Sequence, residues 1–550
     1  MIRSTMQDDT PLTVGAILRH AEQLHPHVEL RVFDGSTVRR IRYAAVADRA
    51  RRLAGALRAA GVAPGEAVAT FSWNTQPHLE AYLGVPLTGA VLHTINLRLF
   101  PDQVAGIIDD AADRVLLLDG SLWDAVKDVL PQRDSLQLVI VTGDLDLAVV
   151  AAALPEARVA AYEELVASAE PFLGDVDDER APAAMCYTSG TTGAPKGVVY
   201  SHRSVWLHAA ANLFAGGFGI DERDLVLQVV PMFHANGWGF PYAAWLGGAG
   251  LLLPDRFLHP DQLTPLIAAE RPTVSGGVPT VWRGVYDHAR AHDLDITSLR
   301  VISCAGSAVP EQLLRDYVGL GVQMYQAWGM TETSPLAAIA RPPALTDGLP
   351  DRLGDADEWY WRTRTGRPVP GVEVRTVAED GTVLPRDGVA VGELQVRGPW
   401  VAAGYHHGRG TEKFDDGWLR TGDMGTVDAA GAMKITDRLK DLIKSGGEWI
   451  SSTEIEDILA AHPEVLESAV IGVPDPRWEE RPLAIVHLRP GATVTDEQLR
   501  EHVRGRIAKW QAPEHWVHLD AIPKTGVGKL DKQRLRAAYQ DGELDVHTLS

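Results

Sequence analysis

Strand-like apolar runs alternate with amphipathic helical stretches through the first two-thirds of this 550-residue chain, and that alternation limits its possible folds most. Val68–Phe71, Val115–Leu118, Leu138–Val141 and Leu225–Val230 read as strands. Residues 46–60 place Val46, Ala50, Leu53, Leu57 and Ala60 on one helical face, with Gly61 as the stop signal. The Ala-rich stretch 147–169 also reads as helix. A β-then-α order predicts parallel sheets covered by helices, an α/β class. The length exceeds what one core fills, so more than one domain is expected.

From Thr365 to Asp423 the pattern changes to short alternating runs punctuated by Gly and Pro, which predicts a small antiparallel barrel. Met433–Thr436 reads as a strand, and the charge cluster Asp437-Arg438-Leu439-Lys440-Asp441 follows it. Beyond lies a compact unit whose helix is expected over 496–510. Thr495 and Gln498 stand at capping-box spacing, and Leu499, Val503, Ile507 and Trp510 share a face. A charged boundary between two self-sufficient cores reads as a hinge, or else as a charged surface turn inside one domain. The expected division is 1–436, a hinge at 437–440, and 441–550.

Residues 187–197 read Tyr-Thr-Ser-Gly-Thr-Thr-Gly-Ala-Pro-Lys-Gly. Glycines let the backbone curl and expose its N–H groups, the hydroxyls add donors, and Lys196 supplies a charge, so the loop suits a polyphosphate. It is not the common Gly-x-x-x-x-Gly-Lys-Ser/Thr signature, and a lone loop of this kind could equally be a surface turn. The formal charge of −21 argues against nucleic acid or an anionic membrane as the main partner, yet a local loop can still bind a nucleotide. The two cysteines, Cys186 and Cys304, sit in apolar surroundings and fit a reducing cytosol. With no signal-like N-terminal segment and no long apolar run, a cytoplasmic protein without stable membrane insertion is expected.

Other segments are hard to explain as scaffold. Trp328-Gly329-Met330-Thr331-Glu332-Thr333 follows a strand expected at Val322–Gln326. A carboxylate beside a phosphate loop makes sense when a divalent cation lies between them, although Glu332 taken alone reads more readily as a solvated loop acid, and Trp328 offers a flat face to a base. Trp418–Asp423 ends another expected strand with an acid able to accept both hydroxyls of a ribose, or simply forming a turn. Lys524–Lys529 carries a lysine at the end of a glycine-bearing loop, which could deliver its ammonium to a negatively charged reacting centre, although alone it reads as an ordinary surface lysine. Pro231–Trp238 mixes large apolar groups with His234, which either lines an apolar pocket or is a satisfied core histidine.

Taken together, these segments resemble the adenylate-forming acyl-CoA synthetase superfamily, in order and spacing along nearly the whole chain. The matching runs are 187–197, Trp328–Glu332, Gly392-Glu393-Leu394 with Arg397-Gly398 and Gly404-Tyr405, Thr421-Gly422-Asp423, Asp437-Arg438 with Lys440, and Gly526 with Lys529. Within that superfamily the bacterial medium- and long-chain fatty-acyl branch is most similar, on Pro231–Trp238, Leu97-Arg98-Leu99 after Asn96, and 444–452.

The resemblance implies a large N-terminal domain of two parallel sheets plus a barrel, and a small mobile α+β C-terminal domain. It implies ATP, Mg²⁺ and coenzyme A, and a reaction through an acyl-adenylate. Thr188, Ser189, Gly190, Thr191, Thr192 and Lys196 would hold the β- and γ-phosphates, Thr331 the α-phosphate and Glu332 the Mg²⁺. Gln326, Ala327, Trp328 and Gly329 would form the adenine wall, and Asp423 and Arg438 would hold the ribose. Lys529 would bridge the carboxylate and α-phosphate during adenylation. Lys440 would be the hinge, and Lys444, Ser445, Gly446, Gly447 and Trp449 would shape the coenzyme A tunnel. His234 would lie near the adenylate, Trp238 would gate the acyl tunnel, and Val278, Ala305, Gly306 and Ser307 would wall it. The matched walls carry no Lys, Arg or Asp, which favours a small-molecule carboxylate with an apolar tail, a fatty acid above all. An amine or a carrier-protein thiol is the rival acceptor. Relatives in this branch point to a homodimer through the N-terminal domain.

Overall fold

The computed structural model describes all residues except 1–4, 8, 189–194, 345–352, 354–356, 446–447, 525–529 and 550. It separates into two compact units. The first takes Met1–Arg341, Pro368–Val372 and Arg397–Gly417, and the second takes Pro342–Arg367, Glu373–Val396 and Trp418–Ser550.

The first unit holds two sheets of mainly parallel strands. In one, the order is Arg158–Ala161, Leu138–Thr142, Val115–Asp119, Ala67–Phe71, Val91–Thr94, Pro182–Tyr187 and Gly197–Ser201, with only the last strand antiparallel to its neighbour. In the other, Gln323–Gly329, Val301–Cys304, Val274–Gly277, Leu225–Leu227, Gly250–Leu253 and Glu29–Phe33 lie side by side in parallel. Parallel strands buried on both faces read as continuous apolar runs, and Leu138–Thr142 and Val115–Leu118 are buried throughout. The helix Tyr43–Ala59 buries the face expected of it, with Val46, Ala50, Leu53 and Leu57 inside. Burying each such aliphatic side chain contributes about 1.5–3 kcal/mol. Gly61 ends the helix at φ +80°, a conformation that side chains resist.

The second unit holds a small antiparallel sheet, Glu373–Val377, Gly392–Arg397, Trp418–Val427 and Met433–Arg438. It also holds the sheet of the C-terminal segment, where Val465–Asp475 and Glu479–Leu488 pair over their full length. Helices Ser452–Ala460, Asp496–Arg504 and Lys532–Gln540 accompany this sheet.

Four local expectations are corrected. The stretch 147–169 is not one helix: Pro155 disfavours helical geometry at Leu154. The chain therefore makes a helix at Leu147–Ala153, a strand at Arg158–Ala161 and a second helix at Tyr162–Ser168. The C-terminal helix has its capping box but stops at Arg504, before Gly505. Leu499 and Val503 are buried, whereas Trp510 falls in a separate short turn and is 44% exposed. The strand expected at Val322–Gln326 runs on through Gly329, because Ala327 and Trp328 pair with Ile339 and Ala338 of an antiparallel neighbour. Asp423 does not end its strand but sits inside Trp418–Val427, beside a register shift at Met424/Gly425.

Candidate active site

Five segments of the first unit leave the carboxyl ends of parallel strands. Thr188 follows Pro182–Tyr187, 231–238 follow Leu225–Leu227, Val278 follows Val274–Gly277, Ala305–Ser307 follow Val301–Cys304, and Thr331-Glu332 follow Gln323–Gly329. Ligands of open α/β sheets bind outside this end of the strands.

The base of the phosphate-loop segment is closed by two bonds: Thr188 N–H donates to the Lys196 carbonyl at 3.0 Å, and Lys196 N–H to Thr188 Oγ1 at 3.3 Å. Ser189, Gly190, Thr191 and Thr192 lie outside the described residues. Lys196 Nζ stands 5.2 Å from the Tyr405 ring centroid and 3.6 Å from Glu412. Glu332 is 5% exposed; its Oε1 accepts from the Tyr405 hydroxyl at 2.5 Å and its carbonyl from Ala402 N–H at 2.7 Å. Burial, with the Glu332 charge adding to it, pushes the Tyr405 phenol well above its ordinary range, so it stays a donor. The Thr331 carbonyl accepts from Tyr200 at 2.7 Å. Gly329 has no room for a side chain: a Cβ there would lie 1.6 Å from the Pro335 carbonyl oxygen. Gln326 Oε1 accepts from Val309 N–H at 3.2 Å, Ala327 is buried, and Trp328 is partly exposed.

The segment after Leu225–Leu227 is strained. Ala235, Asn236 and Trp238 all adopt positive φ (35°, 39° and 57°), which non-glycine residues keep only when their surroundings impose it. Those surroundings are polar side chains, Gln228 at the start of the segment and Asn74 and Cys186 from elsewhere in the chain. Asn74 Oδ1 accepts from Met232 N–H at 2.7 Å, Gln228 Nε2 donates to the Gly237 carbonyl at 3.1 Å, and Asn236 N–H reaches Cys186 Sγ at 3.3 Å. Cys186 is buried as expected, but its surroundings are not purely apolar: its thiol donates to Asn236 Oδ1 at 2.5 Å and pairs with Thr94 Oγ1 at 3.2 Å. Burial pushes that thiol up to about 11, so it stays protonated.

His234 and Trp238 are both partly exposed. A Cβ on Gly276 would lie 3.3 Å from the Trp238 indole and 2.5 Å from Phe240, so this glycine lets both rings pack on the sheet. Ala305 N–H donates to the Gly277 carbonyl at 3.1 Å, and Gly306, at φ +94°, faces Val278. Ser307 is exposed.

In the second unit, Asp423 and Arg438 are register partners, with Oδ1 and Nε 3.0 Å apart; Asp423 is 4% exposed. Burial lowers the Lys440 ammonium, and nearby Asp441 opposes that. Lys444 pairs with Glu479 at 3.3 Å, Ser445 Oγ accepts from Arg481 at 3.1 Å, and Trp449 is 51% exposed. Gly446, Gly447 and Lys529 lie outside the described residues. Sequence reasoning missed Asn74, Gln228, Cys186, Tyr200 and the Tyr405–Glu332 bond. Tyr405 stood within a matched run; Asn74, Cys186 and Tyr200 are single polar residues whose partners are distant in sequence, and Gln228 is one whose partner Gly237 lies nearby but follows no regular spacing.

The model of the AMP-binding enzyme family matches residues 18–406, and that of the AMP-binding enzyme C-terminal domain matches 454–529. The chain belongs to the AMP-binding enzyme family. It is 42% identical to a 3-methylmercaptopropionyl-CoA ligase of Ruegeria pomeroyi, over 96% of this chain and 98% of that one. It is also 42% identical to a long-chain-fatty-acid–CoA ligase of Thermus thermophilus, over 98% of this chain and 97% of the relative. The solved anthranilate CoA ligase AuaEII, in complex with anthranoyl-AMP, superposes with a TM-score of 0.85 at 25% identity, over 97% and 99% of the two chains. Among the described residues, no helix is long and apolar enough to cross a membrane.

Proposed function

We propose that the protein is an AMP-forming acid–CoA ligase that activates an apolar, fatty-type carboxylic acid as its acyl-adenylate. The observation that carries this reading is the convergence, at one end of the parallel strands, of the closed Thr188/Lys196 loop base, the buried Glu332–Tyr405 pair and the Trp238 segment.

In the first half-reaction a substrate carboxylate oxygen attacks the α-phosphorus of ATP, and the bond to pyrophosphate breaks. In the second, the sulfur of coenzyme A attacks the acyl carbonyl and AMP leaves. Neither step needs covalent chemistry from the protein, so its work is positioning and charge stabilisation. Thr188, Ser189, Gly190, Thr191, Thr192 and Lys196 hold the β- and γ-phosphates, and Thr331 the α-phosphate. Gln326, Ala327, Trp328 and Gly329 flank the adenine, while Asp423, aligned by Arg438, takes the ribose hydroxyls. The buried Glu332 carboxylate fits Mg²⁺ and would hold it, and the ion would supply positive charge beside the phosphates. Tyr405 holds one Glu332 oxygen, which would leave the other for the cation. His234 lies by the adenylate, and Trp238, Val278, Ala305, Gly306 and Ser307 line the acyl route. Lys529 stabilises the α-phosphoryl charge.

The domains on this reading are 1–436 and 441–550, hinged at 437–440 about Lys440. Lys444, Ser445, Gly446, Gly447 and Trp449 serve coenzyme A. Two buried, unpaired cysteines support a cytoplasmic enzyme, and a homodimer through the N-terminal domain is part of the same reading.

The test is a pyrophosphate-release screen with ATP, Mg²⁺ and carboxylic acids of graded length, run with and without coenzyme A. Turnover that rises strongly with coenzyme A, with a thioester by mass spectrometry, is the expected result. Release that ignores coenzyme A would transfer the reading to an amide- or carrier-acylating enzyme. No release with any acid would overturn it.

A further inference from the structure

Asn74 follows the strand Ala67–Phe71 and is 2% exposed. Its side-chain amide is committed to one stretch of backbone. Nδ2 donates to the Gln228 carbonyl at 2.7 Å and to the Val230 carbonyl at 3.0 Å, while Oδ1 accepts from Met232 N–H at 2.7 Å. Two carbonyls at the nitrogen and one N–H at the oxygen leave a single orientation for the amide. The Asn74 carbonyl is held as well, accepting from Asp255 N–H at 3.2 Å.

The stretch that Asn74 grips leads directly into the strained run, where Ala235, Asn236, Gly237 and Trp238 all have positive φ. Such a run keeps its shape only while its surroundings fix it. Further buried side chains do the same work. Tyr82 donates to the Met232 carbonyl, Thr94 Oγ1 to the Phe233 carbonyl at 3.3 Å, and Gln228 Nε2 to the Val230 and Gly237 carbonyls at 2.8 and 3.1 Å. Asn74, Tyr82, Thr94 and Cys186 lie in or between strands of the sheet that contains Ala67–Phe71, whereas the segment leaves the other sheet. The segment therefore takes its shape from elements to which it does not belong. Asn74 supplies three of these bonds at the entry to the run, and an aspartate of the same size would lack the two donors.

We propose that Asn74 is a positioning residue that sets acyl-chain selectivity, fixing the backbone of 228–232 so that Trp238 stands in one place on the acyl route. The proposal rests on the acyl role given to Trp238 above. Asn74 acts through Trp238 rather than on the substrate. None of its three partners belongs to the Thr188/Lys196 loop base or to the Glu332–Tyr405 pair, so ATP binding is spared.

In the experiment a short and a long acid compete in one tube with ATP and Mg²⁺. The acyl-adenylates are trapped with hydroxylamine, and the two hydroxamates are quantified by mass spectrometry. Their ratio is independent of how much of a variant is folded, because both products come from the same active molecules. Wild type, Asn74→Ala, Asn74→Ser, Trp238→Ala and Asn74→Ala/Trp238→Ala are compared, and the KM for ATP is measured for each. We expect each Asn74 variant to shift the ratio roughly tenfold, the scale on which an apolar pocket resolves one methylene. The shift should run in the same direction as that of Trp238→Ala, with the KM for ATP within about twofold of wild type. The double variant should match Trp238→Ala, since the amide then has no indole to place and the two effects cannot add. A ratio unchanged from wild type in a folded Asn74 variant would overturn the proposal. So would shifts that multiply in the double variant, or a KM for ATP that rises as steeply as that for the acid. If Asn74→Ala gives no folded protein, Asn74→Ser decides by the same criteria, alone and combined with Trp238→Ala. An unchanged ratio in Trp238→Ala would instead overturn the acyl role of Trp238, and this inference with it. No hydroxamate from any acid in the wild type would overturn the adenylate reading itself.

Discussion

The Tyr405 hydroxyl donates to Oε1 of the buried Glu332 at 2.5 Å, and the face of the same ring lies 5.2 Å from Lys196 Nζ. One phenol thus orients the carboxylate proposed for the cation and lies against the lysine proposed for the phosphates. A hydrogen bond to a charged group contributes about 1.5–3 kcal/mol. Tyr405→Phe should therefore lower adenylation by roughly 10- to 100-fold and raise the Mg²⁺ concentration needed for half-maximal rate. Exchange measured across a Mg²⁺ titration checks this, and an unchanged midpoint would separate Tyr405 from cation binding.

Asp423 is held by Arg438 from the neighbouring strand, within a sheet that keeps its carboxylate in place. Asp423→Ala should raise the KM for ATP by roughly tenfold or more, the scale of a charge-assisted hydrogen bond, with the KM for the acid nearly unchanged. Initial-rate kinetics in both substrates would show it.

Lys440→Pro removes a backbone N–H and fixes φ at the proposed hinge. Adenylation should persist while thioester formation falls. Equal loss in the two half-reaction assays would remove Lys440 from the hinge role.

Trp238 packs where Gly276 has no side chain. Trp238→Ala should widen the range of acyl lengths accepted, and Gly276→Val should narrow it by driving Phe240 and Trp238 into the route. A length series assayed by pyrophosphate release compares the two.

Acid should destabilise the first unit through its buried histidines. Burial lowers His208 to about 3 and His202 to about 4, and it lowers His78 to about 4 against opposing backbone hydrogen bonds. His208 Nε2 accepts from Leu336 N–H at 3.1 Å, a bond that protonation would abolish. The neutral folded form is favoured, so each contribution is complete above the unfolded value of 6.5 and is lost as pH falls toward the folded one. At pH 5 the loss is about 2 kcal/mol per histidine. Denaturant titrations at pH 7.5 and 5 should show this loss, and His208→Gln should reduce the difference by about 2 kcal/mol, the share of one histidine.

Much of this protein is written locally in its sequence. Helical periodicity marked the face of Tyr43–Ala59 because side chains three and four apart must share one side. Thr495 and Gln498 marked a helix start because both bond the first turn. The runs around Lys196, Glu332 and Asp423 were legible because glycine, hydroxyl and charge had to stand in short, fixed order. What the sequence could not reveal were pairings across large separations. Asn74 grips Met232, Cys186 meets Asn236, Tyr405 aligns Glu332, and Lys532 reaches Asp437 through Ser452. Each is one polar residue with no periodic partner. Its role depends on where the parallel sheets and the C-terminal helices bring distant backbone together, and packing of the whole chain decides that.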